Sequence, residues 1–180
     1  MLLALALTLT TLSLCDATSA RFRDNTPLFE NSFQVRSLDK SNFDEMLNST
    51  DEVWIVDFYS PWCPHCRDFA PAWEKVAAFY AESPNVHVGA VDCTKNDAVC
   101  TREKIYGYPG VKLFHVPKNA ALSTRYDGAK RMKDVVKWLE ATLYEHNMKS
   151  GIDPDTINDQ IELIMNDRVK DDVGGNPQGK

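Results

Sequence analysis

The chain has 180 residues, of which 43% are hydrophobic, and a formal net charge of −6 at pH 7. That length allows one domain with terminal extensions, and the apolar fraction suffices for one ordinary core. The negative charge argues against a nucleic-acid-binding protein, because such a protein needs a basic face.

Residues 1–20 are typical of a secretory signal peptide. The run from Met1 to Leu14 carries no charge, and small residues at 18–20 precede a charged segment. A membrane-spanning helix needs about 20 consecutive apolar residues, so we predict cleavage of this segment rather than stable membrane insertion. We expect the mature chain to be secreted or to reside in the lumen of the endoplasmic reticulum; its C-terminus carries no retrieval sequence for that compartment.

Strand-like and helix-like patterns alternate along the middle of the chain and predict an α/β fold. The apolar run at 53–59 suits a strand buried on both faces, as in a parallel or mixed sheet. After a lead-in arm over 21–33, the predicted elements are a strand at 33–38, a short helix around Phe43, a strand at 53–59, a long helix at 63–81, a strand at 86–91, a short helix at 97–104, strands at 111–116 and 124–126, and a closing helix from Met132 to Leu143.

We place the main domain over 34–146 and a C-terminal tail over 147–180. Within that tail, the pair Asp153 and Pro154 can start a further helix over 154–169, with apolar residues at helical spacing. This helix has no evident packing partner in so small a chain. It would suit the beginning of a missing domain.

Two features fit an exported protein: an even number of cysteines and a glycosylation sequon. Cys15 leaves with the signal peptide, and the four cysteines that remain stand at 63, 66, 93 and 100. An even number in an exported chain predicts two disulfides. The sequon that begins at Asn48 is compatible with glycosylation in a eukaryotic host.

A pair of cysteines separated by two residues stands where the 53–59 strand gives way to the long helix. Cys63 lies at the helix N-terminus, where free backbone N–H groups and the helix dipole stabilise a thiolate, the reactive form of the side chain. His65 adds a donor or a positive charge nearby. Cys66 lies one turn further in and is predicted to be the resolving thiol, which attacks the mixed disulfide and releases the substrate.

Asp57 lies in the middle of the apolar strand that precedes this pair. A buried carboxylate is costly to charge, so we expect a raised pKa for Asp57. Such a group is placed to shuttle a proton to and from Cys66. The alternative is a carboxylate that is simply hydrogen-bonded at the end of a strand.

These residues resemble the catalytic domains of protein disulfide isomerases, within the thioredoxin superfamily. The resemblance runs from about Val35 to Glu145. It rests on the run 56–66, on Pro71, on Gly107-Tyr108-Pro109 and on Tyr126-Asp127-Gly128. It implies a thioredoxin fold, in which helices flank a central mixed β-sheet. It also implies a protein that needs no cofactor and no metal.

The resemblance also assigns roles to single residues. It implies that Cys63 is the nucleophile, Cys66 the resolving cysteine and Asp57 the buried carboxylate. From the residues alone a trans bond before Pro109 is the better expectation, since about 5–6% of X-Pro bonds are cis. The resemblance reverses this and makes Pro109 a cis-proline that faces the reactive disulfide. The backbone beside it would pair with an extended substrate, and Tyr108 and Trp62 would shape the substrate-binding surface.

In detail the chain is similar to the first thioredoxin domain of quiescin sulfhydryl oxidases. Those proteins have a second cysteine pair after the third strand and a small residue, here Ala90, where isomerases often place a buried lysine. The likeness implies a structural disulfide between Cys93 and Cys100. The loop arginine of isomerases has no clean match, and Lys130 or Arg131 would take its place.

Two other departures bear on the reaction. The residues between Cys63 and Cys66 are Pro-His rather than the Gly-His usual in isomerases. Pro-His resembles a bacterial periplasmic oxidant and suggests a more oxidising couple. Nothing in the chain resembles the flavin-binding domain of the sulfhydryl oxidases, so this chain alone is not expected to pass electrons to oxygen.

Together these observations predict a thiol-disulfide oxidoreductase of the isomerase type. It would form, reduce or rearrange disulfides in protein substrates of the secretory pathway, with a separate sulfhydryl oxidase or reductase as partner. One alternative is a redox-inert chaperone or binding module of the same fold, although the two retained cysteines argue against it. Another is a zinc site of four cysteines, which export and the helical position of the pair disfavour.

Overall fold

The computed structural model describes residues 26–48, 52–115, 122–146 and 149–166. The predicted signal peptide, residues 49 and 50 of the Asn48 sequon, and the end of the C-terminal tail lie outside these residues. The elements are β1 (Arg36–Leu38), α1 (Phe43–Asn48), β2 (Val53–Tyr59), α2 (Pro64–Phe79), β3 (Val86–Asp92), α3 (Asp97–Arg102), β4 (Gly110–His115), β5 (Leu122–Tyr126), α4 (Met132–Glu145), a 3-10 turn (Pro154–Thr156) and α5 (Ile157–Asn166).

Five strands form one mixed sheet in the order β1-β3-β2-β4-β5. The strands β1, β3 and β2 run parallel, whereas β4 pairs antiparallel with both β2 and β5. Short β1 pairs only with the second half of β3, at Gly89–Val91. The predicted α/β architecture with a mixed sheet is therefore present.

The central strand β2 is buried along all seven of its residues. Because side chains alternate between the two faces of a strand, β2 contributes to two separate cores. Ile55 packs on one face with residues of α2 and α4, and Phe58 packs on the other with residues of α1 and α3. Asp57 has the same parity as Ile55, which places it on the face covered by α2 and α4.

Helix α2 is shorter than predicted, because Cys63 caps it from an extended backbone conformation and the helix ends at Phe79. Pro64 occupies the first turn, where the missing N–H costs nothing. Trp73 lies at the centre of the buried face and donates its indole N–H to the carbonyl of Gly89 at 3.2 Å. This contact fixes α2 against β3 and so places its N-terminus beside the end of β2.

Segments at both ends of the described chain also pack on the core. Phe29, within the predicted lead-in arm, is buried and makes an edge-on contact with Tyr59 at 5.2 Å between ring centroids. Ile161 of α5 is buried in the same core as α2 and α4. The expectation that the tail helix lacks a packing partner is therefore wrong.

The two histidines on the strands, His87 and His115, have no acidic neighbours along the sequence, but both contact Glu52 in the fold. The His87 ring contacts the Glu52 carboxylate, and the His115 ring lies 3.4 Å from the Glu52 carbonyl. They lie at the end of the sheet where β2 begins, away from the cysteine pair. Within the four described ranges, no helix has the length and apolarity needed to cross a bilayer.

Candidate functional site

The paired cysteines lie at the junction between β2 and α2, and they differ in depth. The Cys63 N–H donates to the Ser60 carbonyl at 3.0 Å, and the Cys63 carbonyl accepts from the Cys66 N–H at 3.1 Å. Cys63 is 8% exposed and Cys66 is 0% exposed, and both are free thiols. A protein disulfide can therefore approach Cys63 first, while Cys66 stays behind it.

The loop before β4 faces Cys63 directly. The Tyr108–Pro109 peptide bond is cis, as the resemblance implies, and the Cys63 thiol donates to the Tyr108 carbonyl at 3.8 Å. Beside it lies an open groove of about 390 Å³, lined by His65, Asp68, Phe69, Tyr108, Pro109 and Lys130. Trp62 is 44% exposed and precedes Cys63 at the same surface. A main-chain carbonyl next to a reactive sulfur suits the docking of an extended polypeptide.

Asp57 is an isolated buried carboxylate. It is 0% exposed, and within the described part of the chain neither of its oxygens has a hydrogen-bond partner. Its neighbours across the sheet are Ala90 on β3 and Val111 on β4, neither of which carries a charge. Burial raises the pKa of Asp57 to about 8, and the positive charge of Lys130 offsets a part of that effect. The alternative of a hydrogen-bonded carboxylate at a strand end does not match this environment.

Cys66 is the second group whose proton is held tightly. Burial raises the pKa of the Cys66 thiol, the charge of Asp57 raises it further, and a backbone hydrogen bond from Ser60 lowers it in part. Cys66 therefore needs a base in order to react near neutral pH. Asp57 is the carboxylate whose charge acts on that thiol.

Of the two basic residues that the sequence offers in this loop, Lys130 borders the groove. The Lys130 ammonium lies 4.8 Å from the centre of the Tyr126 ring and borders the groove. Burial lowers its pKa, and the Asp57 charge opposes this. Arg131 caps α4, and its exposed side chain pairs with Asp134.

The second cysteine pair forms a disulfide. Cys93 and Cys100 have Cα atoms 5.8 Å apart and are both buried, on the face of the sheet opposite α2. Asn48, the first residue of the sequon, is exposed at the end of α1 and donates its side-chain amide to the Asp44 carbonyl at 2.7 Å.

Two further residues line the groove: Asp68 was not singled out from the sequence, and the helical spacing of Phe69 predicted a core position, which its 1% exposure confirms. Asp68 and Phe69 lie on α2, three and four residues after His65, and so share its side of the helix. This spacing is the pattern that could have found them.

Comparison with known proteins fits this geometry. The sequence model of the thioredoxin family matches residues 34–141, which is more than half of the chain. The chain belongs to the thioredoxin family. With its five-stranded mixed sheet, this thioredoxin-family chain has the thioredoxin fold that the sequence resemblance implies.

Among curated proteins, this thioredoxin-family chain is similar to isomerases. It is 35% identical over 105 residues to the protein disulfide-isomerase A6 homolog of Drosophila melanogaster, an alignment that covers 58% of this chain and 24% of that protein. It is 38% identical over 104 residues to human protein disulfide-isomerase A6, covering 57% and 23%. The chain thus spans about a quarter of the length of these two relatives.

Solved structures lead to the same family. The solution structure of the first thioredoxin domain of mouse protein disulfide-isomerase A4 matches with a TM-score of 0.54 and 28% identity, covering 61% of this chain and 75% of that one. The crystal structure of the J-Trx1 fragment of ERdj5 matches with a TM-score of 0.57 and 26% identity, covering 65% and 55%. The likeness is therefore to individual thioredoxin domains.

Proposed function

We propose that this protein is a thiol-disulfide oxidoreductase of the isomerase type that acts on protein substrates. The observation that carries the proposal is the arrangement of three groups in depth. Cys63 faces the cis-proline loop, Cys66 is buried one turn behind it, and Asp57 is fully buried on the strand that precedes both. The similarity to isomerases supports the same reaction class.

The first half of the reaction belongs to Cys63. Its thiolate attacks one sulfur of a substrate disulfide, the substrate S–S bond breaks, and the second substrate sulfur leaves as a thiolate that takes up a proton. The substrate remains attached to Cys63 through a mixed disulfide. Its backbone is held beside the Tyr108–Pro109 loop, and His65 and Trp62 border the reacting sulfur.

The second half belongs to Cys66 and Asp57. Cys66 gives its proton to the Asp57 carboxylate and attacks the Cys63 sulfur, so the mixed disulfide breaks and the substrate sulfur leaves as a thiolate, which takes up a proton from water. The substrate gains two electrons, and a Cys63–Cys66 disulfide forms. The reverse sequence makes a substrate disulfide, and attack on the mixed disulfide by another substrate thiol gives rearrangement.

The cellular setting follows from the sequence rather than from the site. The predicted signal peptide over 1–20 would deliver the chain to the secretory pathway. Its protein substrates would be there, and Asn48 would be available for glycosylation. A separate sulfhydryl oxidase or reductase would reset the Cys63–Cys66 pair. The Cys93–Cys100 disulfide supports the finer likeness to the first thioredoxin domain of quiescin sulfhydryl oxidases, which we keep as part of the proposal.

Two single variants test the roles of the cysteines. We expect Cys63→Ala to abolish the reduction of insulin, because it removes the attacking sulfur. Cys66→Ala should instead accumulate mixed disulfides with insulin, visible as a band that reductant removes on a non-reducing gel. Full multi-turnover activity of Cys66→Ala would show that the assignment of roles is wrong.

The same assay separates the proposal from its alternatives. Wild-type protein that binds insulin but never reduces it would point to a redox-inert chaperone. The four-cysteine zinc site conflicts with the disulfide between Cys93 and Cys100, and among the described residues no group of three or more metal-ligating side chains is placed to hold an ion. Metal analysis of the reduced protein tests that alternative independently.

A further inference from the structure

The disulfide outside the reacting pair lies between two segments that converge on Cys63. Cys93 directly follows β3 and Cys100 lies in α3; the two residues are 4% and 3% exposed. They belong to the core that also contains Val99 and Ile105. The bridge is buried on the opposite face of the sheet from α2, so its effect on the reacting sulfurs must pass through the backbone.

The first link runs from Cys93 to the strand that precedes Cys63. The Cys93 N–H donates at 2.9 Å to the carbonyl of Tyr59, the last residue of β2. The next residue, Ser60, accepts the Cys63 N–H at 3.0 Å. The bridge is thus joined through two backbone hydrogen bonds to the residue that caps α2.

The second link runs from Cys100 to the loop that carries the cis peptide. The Ile105 N–H donates to the Cys100 carbonyl at 2.9 Å. Ile105 also packs tightly against the far end of this loop, since a Cβ placed on Gly110 would lie 3.2 Å from Ile105 Cγ2. Tyr108 lies between them and presents its carbonyl to Cys63. Helix α3 is therefore the platform for this loop.

Helix α3 by itself is a weak support for this loop. It has six residues, and its N-cap Asn96 makes no side-chain capping hydrogen bond. Isolated helices shorter than about 12 residues are marginal in water. The sulfur bridge is the covalent tie between α3 and the end of β3. Without it the short helix would be held by apolar packing, by the ion pair of Arg102 with Asp44, and by the Asn96 side chain, which donates to the Asp92 carbonyl and accepts the Lys40 N–H, each at 3.0 Å.

We propose that the Cys93–Cys100 disulfide positions the Tyr108–Pro109 loop, so that protein substrates dock well only while this second bond is intact. The inference rests on the proposed exchange activity. The hydrogen bond from Cys93 to Tyr59 continues the seven-pair ladder between β2 and β3, which holds the cap of α2 whether or not the sulfurs are joined. The intrinsic reactivity of the Cys63 sulfur is therefore retained when the bridge is lost. The bridge therefore controls substrate docking rather than bond breaking.

The double variant Cys93→Ala/Cys100→Ala tests this with two probes. Insulin needs the loop for docking, whereas oxidised glutathione is too small to pair along it. We expect the KM for insulin to rise about fivefold or more, the cost of reordering about one backbone residue. The rate constant for oxidised glutathione should stay at its wild-type value.

Leu143→Ala is the matched control. Leu143 is buried on α4 in the other core, so its truncation lowers stability without touching the loop. Its KM for insulin should stay at the wild-type value. An unchanged KM in the double variant, or an equal rise in the control, would overturn the positioning role.

If the double variant does not fold, hydrogen exchange on the wild-type protein decides. After reduction of the Cys93–Cys100 bond, the Ile105 amide should exchange faster while the β2 amides keep their protection. A uniform acceleration would overturn the proposal. Wild-type protein that exchanges with neither insulin nor oxidised glutathione would overturn the proposed function as well, so the two failures are distinguishable.

Discussion

At the scale of single residues, Asp57 combines two properties that seldom occur together. It is completely buried, and its cross-sheet neighbours Ala90 and Val111 offer it neither charge nor hydrogen bond. Its proton is therefore held by burial itself, with Lys130 as the counteracting charge. Such a group can take a proton from a nearby thiol only as the pH approaches its own raised pKa.

The first prediction concerns the rate of resolution. With a pKa of about 8, Asp57 is ionised in only about a tenth of the molecules at pH 7, so the rate at which Cys66 resolves the mixed disulfide should rise towards pH 8. We expect Asp57→Ala to lower this rate at pH 7 by about tenfold or more and to flatten its pH profile. Rapid-quench kinetics measure it, with Asp159→Ala, an exposed acid on α5, as control. An unchanged profile would remove the proton-shuttle role.

The second prediction concerns stability. The folded protein keeps the Asp57 proton up to about pH 8, whereas the unfolded chain loses it near the ordinary value of 3.8. The folded state thus binds more protons between these values, and its stability falls as the pH rises. Between pH 5 and pH 8 the ionisation of Asp57 should lower the free energy of unfolding by about 4 kcal/mol at most.

Asp57→Asn tests the stability prediction, because it removes the charge and keeps the shape. Urea unfolding of the reduced protein should show that the variant gains stability over wild type as the pH rises from 5 to 8. Both proteins are measured in the same redox state, so the contributions of the other titratable groups cancel in the difference between their free energies of unfolding. A constant difference across that range would contradict the raised pKa.

The residues of the site differ in how far the sequence could place them. Cys63, Cys66 and Asp57 stand within one strand–helix junction, so their relative depth follows from local structure. The sequence could not decide between Lys130 and Arg131 as the residue beside the groove, because adjacent loop residues point in directions set by the loop backbone. Arg131 caps α4, and its exposed side chain is held by the ion pair with Asp134.

At the scale of elements, α5 shows what periodicity can and cannot tell. Apolar spacing after Pro154 predicted a helix, and the structure has α5 at Ile157–Asn166. Its partner is α2, far away in sequence, and only the folded chain brings the two together. Local spacing carries no information about such a long-range contact, which is why the helix looked unpartnered.

The third prediction tests whether α5 belongs to the cooperative unit. Ile161 is 1% exposed, so Ile161→Ala should lower the free energy of unfolding by about 2–4 kcal/mol through lost burial and a cavity. Leu163 on the same helix is 68% exposed, and Leu163→Ala should change it by about 0.5 kcal/mol or less. Urea denaturation of both variants gives the comparison. Equal, small effects would mean that α5 is only loosely attached.

At the scale of the whole molecule, one core collects residues from both ends of the described chain. Phe29 reaches it from before β1 and Ile161 from after α4, and both are buried there with the residues of α2. The strand–helix alternation and the resemblance predicted the domain between 34 and 146, but not these flanking contacts. The polar arm before β1 has no periodic pattern, and the apolar spacing of the tail predicts a helix without showing where Ile161 will dock.

The fourth prediction compares two lengths of the chain. A fragment of residues 34–146 lacks Phe29 and Ile161, and each fully buried apolar side chain contributes about 1.5–3 kcal/mol. Its free energy of unfolding should therefore be about 3–6 kcal/mol lower than that of a fragment of residues 26–166. Because the shorter fragment also exposes less surface on unfolding, its urea m-value should be smaller. Equal stabilities would mean that the domain is complete between 34 and 146 and that the flanking contacts contribute nothing to its core.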